Sequence, residues 1–274
     1  MKLMVDQQGV TIAGDNFQLT TAGAQAESSV LAPDDVVFGV AESAQMEAII
    51  SELEAMTKRS YGQFCGVSRA LEAVGERWAL LIIRDLLVAP KNIVDIQAGL
   101  PRIPTDILAS RLRDFERVGV VAKQTTEAGA LPVYELTEYG QQLDDIILQL
   151  GRWGAQMLGN PRPEEIVTTD SMVIALRGIF HPIPAQGVHA TVELRLGDVV
   201  LHAQIDDGEA RVGAGPFPGA DLILEPGMFL HGLLTGEVDP DQAIADQAFE
   251  LVGDTSLLRP FTEIFHIDGE QQPV

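Results

Sequence analysis

Arg111, Arg113 and Arg117 lie close together in the stretch 101-PRIPTDILASRLRDFERVGVV-121. Guanidinium groups are planar forks of donors that fit a phosphate or the edge of a guanine. Their setting makes them conspicuous, because the 274-residue chain carries 18 Lys+Arg against 40 Asp+Glu, a formal net charge of −22. From Lys58 to Lys123 there are 11 basic and 7 acidic residues, which leaves 7 basic and 33 acidic for the remainder. An acidic whole repels a phosphate backbone, so any contact with nucleic acid must come from this middle window. Charge alone leaves open the plainer reading of a less acidic solvated surface.

The elements that would position these arginines read as follows. Segment 65-CGVSRALEAVGERWALLIIRDLL-87 predicts a short helix, a break at Gly75 and a second helix that buries Trp78, Leu81, Ile82 and Leu86. Pro90 ends it, and Asn92 caps a third helix, 93-IVDIQAG-99, stopped by Gly99 and Pro101. Pro104 opens a fourth helix, where its missing N–H costs nothing. On that helix Leu108, Leu112 and Phe115 face a core, Asp106, Ser110, Arg113 and Arg117 share the opposite arc, and Gly119 is the stop. A short helix, a tight turn and a longer helix with a basic outer face is how a helix-turn-helix presents a recognition helix. Thr105, Ser110 and Arg113 are then the candidates for base edges, and Arg102, Arg111, Arg117 and Lys123 for phosphates. Val120–Gln124 and Val133–Leu136 predict a β-hairpin around Glu127–Gly129, a wing, and Thr137 caps a last helix running through 141-QQLDDIILQLGRWGAQML-158. Its apolar stripe, with Val67, Leu71 and Val74 of the first helix, exceeds what one winged domain can bury, so a homodimer is expected.

Other chemistry is thin. His181, His189, His202, His231 and His266 lack ligand spacing, and His202 reads as a structural residue in an alternating strand. There is no phosphate loop, and 226-PGMFLHG-232 is not a nucleophile elbow. No metal, cofactor or catalytic set is expected. One cysteine excludes an intramolecular disulfide framework. No uncharged apolar run is long enough to span a membrane, and MKLMVDQQGV lacks the pattern of a secretion signal, so a cytoplasmic protein with no membrane partner is expected.

Four runs in fixed order, 61-YGQFCGVSRALEAVGERWALLIIRDLL-87, 102-RIPTDILASRLRDFERVGVV-121, 134-YELTEYG-140 and 150-LGRWG-154, resemble the HxlR-type winged helix-turn-helix transcriptional regulators over about residues 60–158. The resemblance implies a cytoplasmic bacterial regulator that dimerises through its terminal helices and binds double-stranded operator DNA. Gly66 departs from the Pro that often follows the cysteine, and the wing tip 126-TEAGAL-131 has no basic residue beyond Lys123. Related regulators sense oxidants or electrophiles with a cysteine at the position of Cys65. A helix N-terminus would lower its pKa, whereas a small buried hydrophobe is the competing reading.

Past a polar linker, 160-NPRPEE-165, the segment 189–215 alternates apolar and polar residues with turns at Gly197-Asp198 and Asp207-Gly208, an antiparallel meander. ADLILE from residue 220, then LLTGEVDPDQAIADQAFELVGD and LLRPFTEIF, resemble the sterol-carrier-protein family over about residues 170–268. That resemblance implies an α/β domain enclosing an apolar pocket for a small apolar ligand. The lining candidates are Phe180, Leu224, Met228, Phe229, Leu233, Phe261 and Phe265. A packing module without a ligand is the other reading.

The fold class expected is α+β. An N-terminal extension of unknown role (1–57, a hairpin turning at Gly14-Asp15-Asn16 and a helix over 43–59) precedes a winged domain (58–159), a linker (160–169) and a sterol-carrier-like domain with an antiparallel sheet (170–274). The function expected is a DNA-binding transcriptional regulator, not an enzyme. The alternative is an apolar-ligand carrier whose winged domain serves assembly.

Overall fold

The computed structural model describes residues 2–6, 9–13, 60–124, 131–158, 162 and 165–267. Contacts divide the chain into Met1–Ser60 and Tyr61–Val274. In the first unit β1 (Lys2–Asp6) pairs antiparallel with β2 (Gly9–Ala13), Asp6 opposite Gly9. This pairing closes between Asp6 and Gly9, and the turn expected at Gly14-Asp15-Asn16 lies outside the described residues. The helix expected over 43–59 lies outside the described residues.

The second unit opens with α1 (Gly66–Val74). Gly75 caps its end, donating its amide to the Leu71 carbonyl at 2.8 Å so closely that an added Cβ would lie 2.5 Å from that oxygen. Before α2 (Ala79–Val88), Trp78 takes φ 77°, a left-handed conformation that costs a non-glycine residue about 1–3 kcal/mol. The Asn92 side chain caps α3 (Ile93–Gly99), its Oδ1 accepting the Val94 and Asp95 amides at 2.9 and 3.0 Å. Pro104 precedes α4 (Thr105–Arg117). Ile82, Ile83, Ile96, Leu108, Leu112 and Phe115 interlock behind these helices in one buried core; the expected stripe holds at Ile82 and Leu86, with Trp78 partly buried, but Leu81 is 39% exposed and Ile83 is buried instead.

The wing pairs β4 (Val121–Gln124) with β5 (Val133–Leu136), Val121 opposite Leu136. A strand of two residues, β3 (Lys91–Asn92), joins the other edge of β5, so the sheet is ordered β3-β5-β4. Nothing in the alternation pattern signals so short a strand. The wing tip lies outside the described residues. Thr137 caps the next turn through the Gly140 amide, but the single long helix expected there is broken into α5 (Glu138–Gln141) and α6 (Asp144–Ala155).

An unanticipated helix, α7 (Thr169–Gly178), follows, started by a reciprocal capping box between Thr168 and Ser171. Its Ile174 packs into the first core while Val173 and Leu176 belong to a second. β6 (His189–Leu196), β7 (Val199–Asp206) and β8 (Glu209–Ala214) form the meander, and Asp207 and Gly208 both take positive φ at its second turn. β9 (Leu222–Glu225) then runs parallel to β6, and β10 (Glu250–Gly253) antiparallel to β9. The order β10-β9-β6-β7-β8 is therefore mixed, a correction to the antiparallel sheet expected. The 215–221 connection carries the chain back past β7 and β6, so β9 enters in the direction of β6. α8 (Leu230–Thr235), α9 (Pro240–Ala245) and α10 (Leu258–Ile264) complete the unit.

Candidate nucleic-acid interface

The turn between α3 and α4 is held by one side chain. Gln97 Nε2 donates to the Ile103 carbonyl at 2.7 Å, and the Thr105 hydroxyl donates to Gln97 Oε1 at 3.3 Å. Leu100 and Ile103 are buried beneath it. Arg102 and Thr105 are exposed at the start of α4, Ser110 is half-buried one turn further on, and Lys123 is exposed on β4 with its ammonium 5.8 Å from the Tyr134 ring centre.

The three arginines of α4 differ in what they do. Arg113 is exposed and makes no ion pair among the described residues. Arg117 donates to Asp114 Oδ1 at 2.8 Å and remains 41% exposed. Arg111 is only 13% exposed, with Asp114 Oδ2 at 2.9 Å and Glu76 Oε2 at 3.3 Å. Its guanidinium ties α4 to the turn between α1 and α2 and is already committed to two carboxylates. Asp114 therefore positions both neighbours. The i, i+3 spacing of 111, 114 and 117 makes that legible in the sequence, whereas nothing local signals Glu76.

Large apolar side chains are exposed on other helices of the winged part. Phe64, Val67 and Leu71 around α1, Ile146, Leu150 and Trp153 on α6, and Met157 just beyond it are exposed, Trp153 to 62%. Ile147 on the same helix is instead buried in the core. Cys65 is exposed at the N-terminus of α1. It completes no capping bond, but the Ser68 and Val67 amides favour the thiolate and hold its pKa below the ordinary thiol value.

The residues expected to line an apolar pocket stand differently. Leu224, Leu233, Phe261 and Phe265 are buried, and the Phe265 ring lies 5.0 Å from Phe261 and 5.7 Å from Phe180, filling the space between sheet and helices. Phe229 packs on Phe249, with ring centres 5.9 Å apart. Met228 is 88% exposed. Of the seven, only Leu233 borders an open cleft of about 720 Å³ between the 181–184 loop, the α8–α9 connection and α10. Among the described residues no helix is long and apolar enough to cross a membrane, and no cluster of three or more His, Cys, Asp or Glu could hold a metal ion.

A family profile described as "HxlR-like helix-turn-helix" matches residues 73–161, from the end of α1 past α6. The HTH-type transcriptional regulator YodB of Bacillus subtilis is 33% identical over 88 residues, which cover 32% of this chain and 79% of YodB. The chain belongs to the HxlR-like helix-turn-helix family. An uncharacterized HTH-type transcriptional regulator of B. subtilis, YtcD, is 32% identical over 101 residues, covering 36% of this chain and 79% of YtcD. One from Mycobacterium tuberculosis is 39% identical over 99 residues, and the chain spans 61% of that relative's length. Among solved structures, the reduced form of YodB is similar at 29% identity over 36% of this chain and all of YodB, with a TM-score of 0.32. The HxlR-like match ends before α7, so the sheet β6–β10 and its helices lie outside it.

Proposed function

We propose that this chain is a DNA-binding transcriptional regulator that acts as a homodimer. The observation that carries the reading is the polarity of α4: Leu108, Leu112 and Phe115 are at most 1% exposed, while Arg113 on the outer face is open to solvent without an ion-pair partner among the described residues. In a chain of net charge −22 such a side chain suits a polyanion. Thr105 and Arg113, with Ser110 beside them, are assigned to base edges, and Arg102, Arg117 and Lys123 to phosphates. Arg111 contributes mainly by holding α4 against Glu76. A second copy would cover the apolar faces of α1 and α6 and set two recognition helices about one DNA turn apart. The carrier alternative is not favoured, since the relatives match the helix-turn-helix part.

Residues 170–274 are read as a sterol-carrier-type domain that takes a small, largely apolar ligand, supported by the order of strands and helices over residues 169–264. α7 contributes side chains to both cores, so a ligand that favours one arrangement of this domain would bias the spacing of the recognition helices. Exposure and the lowered pKa support Cys65 as a candidate thiol sensor. Selection of random double-stranded DNA by the full chain, followed by sequencing, tests the function. A two-fold-related motif is expected, and enrichment of nothing would overturn the reading.

A further inference from the structure

The cleft of about 720 Å³ has apolar walls from Ile183, Pro184, Val238 and Pro240, with the buried Leu233 at its base. Ile183 is 76% exposed there, a large apolar side chain turned to solvent. The one Lys or Arg among the described lining residues, Arg259, is already neutralised. Its Nη2 donates to Asp239 Oδ2 at 2.9 Å and to Asp241 Oδ2 at 2.6 Å, and its Nε donates to Asp241 at 2.9 Å. Those two carboxylates push the guanidinium pKa well up, Asp241 the more. Glu263, also on the wall, makes no ion pair among the described residues. Thr262 is 7% exposed and gives its proton to the Arg259 carbonyl at 2.9 Å, which leaves its oxygen able only to accept. His181 and His266 also line the wall, the His181 Nε2 lying 3.0 Å from the His266 carbonyl oxygen, so the carboxylates leave the formal charge around the apolar walls in surplus on the anionic side, and among the described lining residues no uncommitted Lys or Arg is available for a carboxylate or phosphate.

We propose that this cleft binds a small amphiphilic organic cation, an amine carried on an aromatic or branched apolar body. The body would lie against Ile183, Pro184 and Val238, and the ammonium would face Glu263 with Asp239 and Asp241 behind it. Apolar walls that exclude part of the water strengthen that charge contact relative to one on an open surface, and the acidic molecule as a whole concentrates cations around it. The proposal rests on the reading of residues 170–274 as a ligand-binding domain and departs from it by naming the charge of the ligand and moving it from the packed core to the outer cleft.

Titration calorimetry of the full chain with three probes of one shape tests it: 1-naphthylmethylamine, 1-naphthalenemethanol and 1-naphthoic acid. The amine is expected to bind about five times more tightly than the alcohol, the scale of a partly screened charge pair, and the acid more weakly than either. Glu263→Gln is expected to remove the margin of amine over alcohol while leaving alcohol binding unchanged, and Ile183→Ser to weaken amine and alcohol together. If the alcohol or the acid binds as tightly as the amine, or Glu263→Gln keeps the margin, the cation assignment is wrong while the ligand-binding reading stands. If no probe binds, both are overturned.

Discussion

The ammonium of Lys91 lies 3.1 Å from the carboxylate of Asp170, with only 16% and 14% of the two side chains exposed. Lys91 belongs to β3, beside the cap of α3, and Asp170 to the first turn of α7, so the contact joins the helix-turn-helix part to the helix that enters the second core. Arg177 to Asp144, at 2.5 Å, and Arg152 Nε to the Gly178 carbonyl, at 2.7 Å, bind α7 to α6. Lys91→Ala would leave Asp170 beside the buried Asp85. It is expected to lower unfolding stability by about 1–3 kcal/mol, the cost of leaving a half-buried charge unpartnered. Denaturant unfolding of Lys91→Ala, Asp170→Ala and the double variant checks this. A coupling energy near zero would mean that the pair ties nothing.

Asp85 is fully buried in α2. Burial pushes its carboxyl pKa above the ordinary value, and the Asp170 charge adds to the rise, while Arg84 and Lys91 oppose it. Arg84 donates to Oδ1 at 2.7 and 2.8 Å, and Oδ2 has no partner among the described residues. A carboxyl whose pKa is raised on folding is stabilising below its unfolded pKa, and that contribution is lost as pH rises through the folded value. Wild type should therefore gain stability relative to Asp85→Asn as pH falls from 7 toward the unfolded aspartate value. Parallel pH dependences would refute the assignment.

Gly140 belongs to the 134-YELTEYG-140 run, and its role is steric. A Cβ there would sit 2.1 Å from the Val120 carbonyl oxygen, a backbone atom that cannot swing aside. Gly140→Ala should lower stability by roughly 1–3 kcal/mol or more, the range for overpacking, and lower DNA affinity by displacing the end of α4. A thermal midpoint unchanged from wild type would show that the contact relaxes at little cost.

Trp153 and Ile146 are 62% and 55% exposed on the same face of α6, an apolar patch of the kind that marks a protein–protein contact. Trp153→Glu is expected to convert a sedimenting dimer into a monomer without altering the far-ultraviolet circular dichroism. A wild-type monomer at micromolar concentration would contradict the homodimer.

The helix-turn-helix was legible because each helix carries its own start, stop and apolar stripe: Asn92, Pro104 and Thr137 act where they stand, and Leu108, Leu112 and Phe115 repeat at helical spacing. The features that escaped are non-local. β3 is two residues long and exists only because β5 offers an edge. β9 pairs with β6 across the intervening meander. α7 divides its side chains between two cores. Arg111 read as a phosphate ligand because spacing cannot reveal Glu76, 35 residues away, at its guanidinium. Buried Glu193 was also missed. Burial works to raise its pKa, but the Phe217 amide and the Arg195 guanidinium outweigh that and hold it below the usual value. Its strand position gave no sign of those partners. The aromatic residues expected to line a pocket are equally suited to a packed core, and Phe180, Phe261 and Phe265 pack on one another.

The most direct test of the central claim is the affinity of the full chain for its selected double-stranded operator and for a scrambled duplex, with wild type and Arg113→Ala, at fixed salt. The account predicts that Arg113→Ala loses about 1–3 kcal/mol on the operator, the range for a bidentate base contact, and little on the scrambled duplex, with the fold unchanged. Equal affinity of wild type and Arg113→Ala for the operator would contradict the assignment of α4 as the helix that reads DNA.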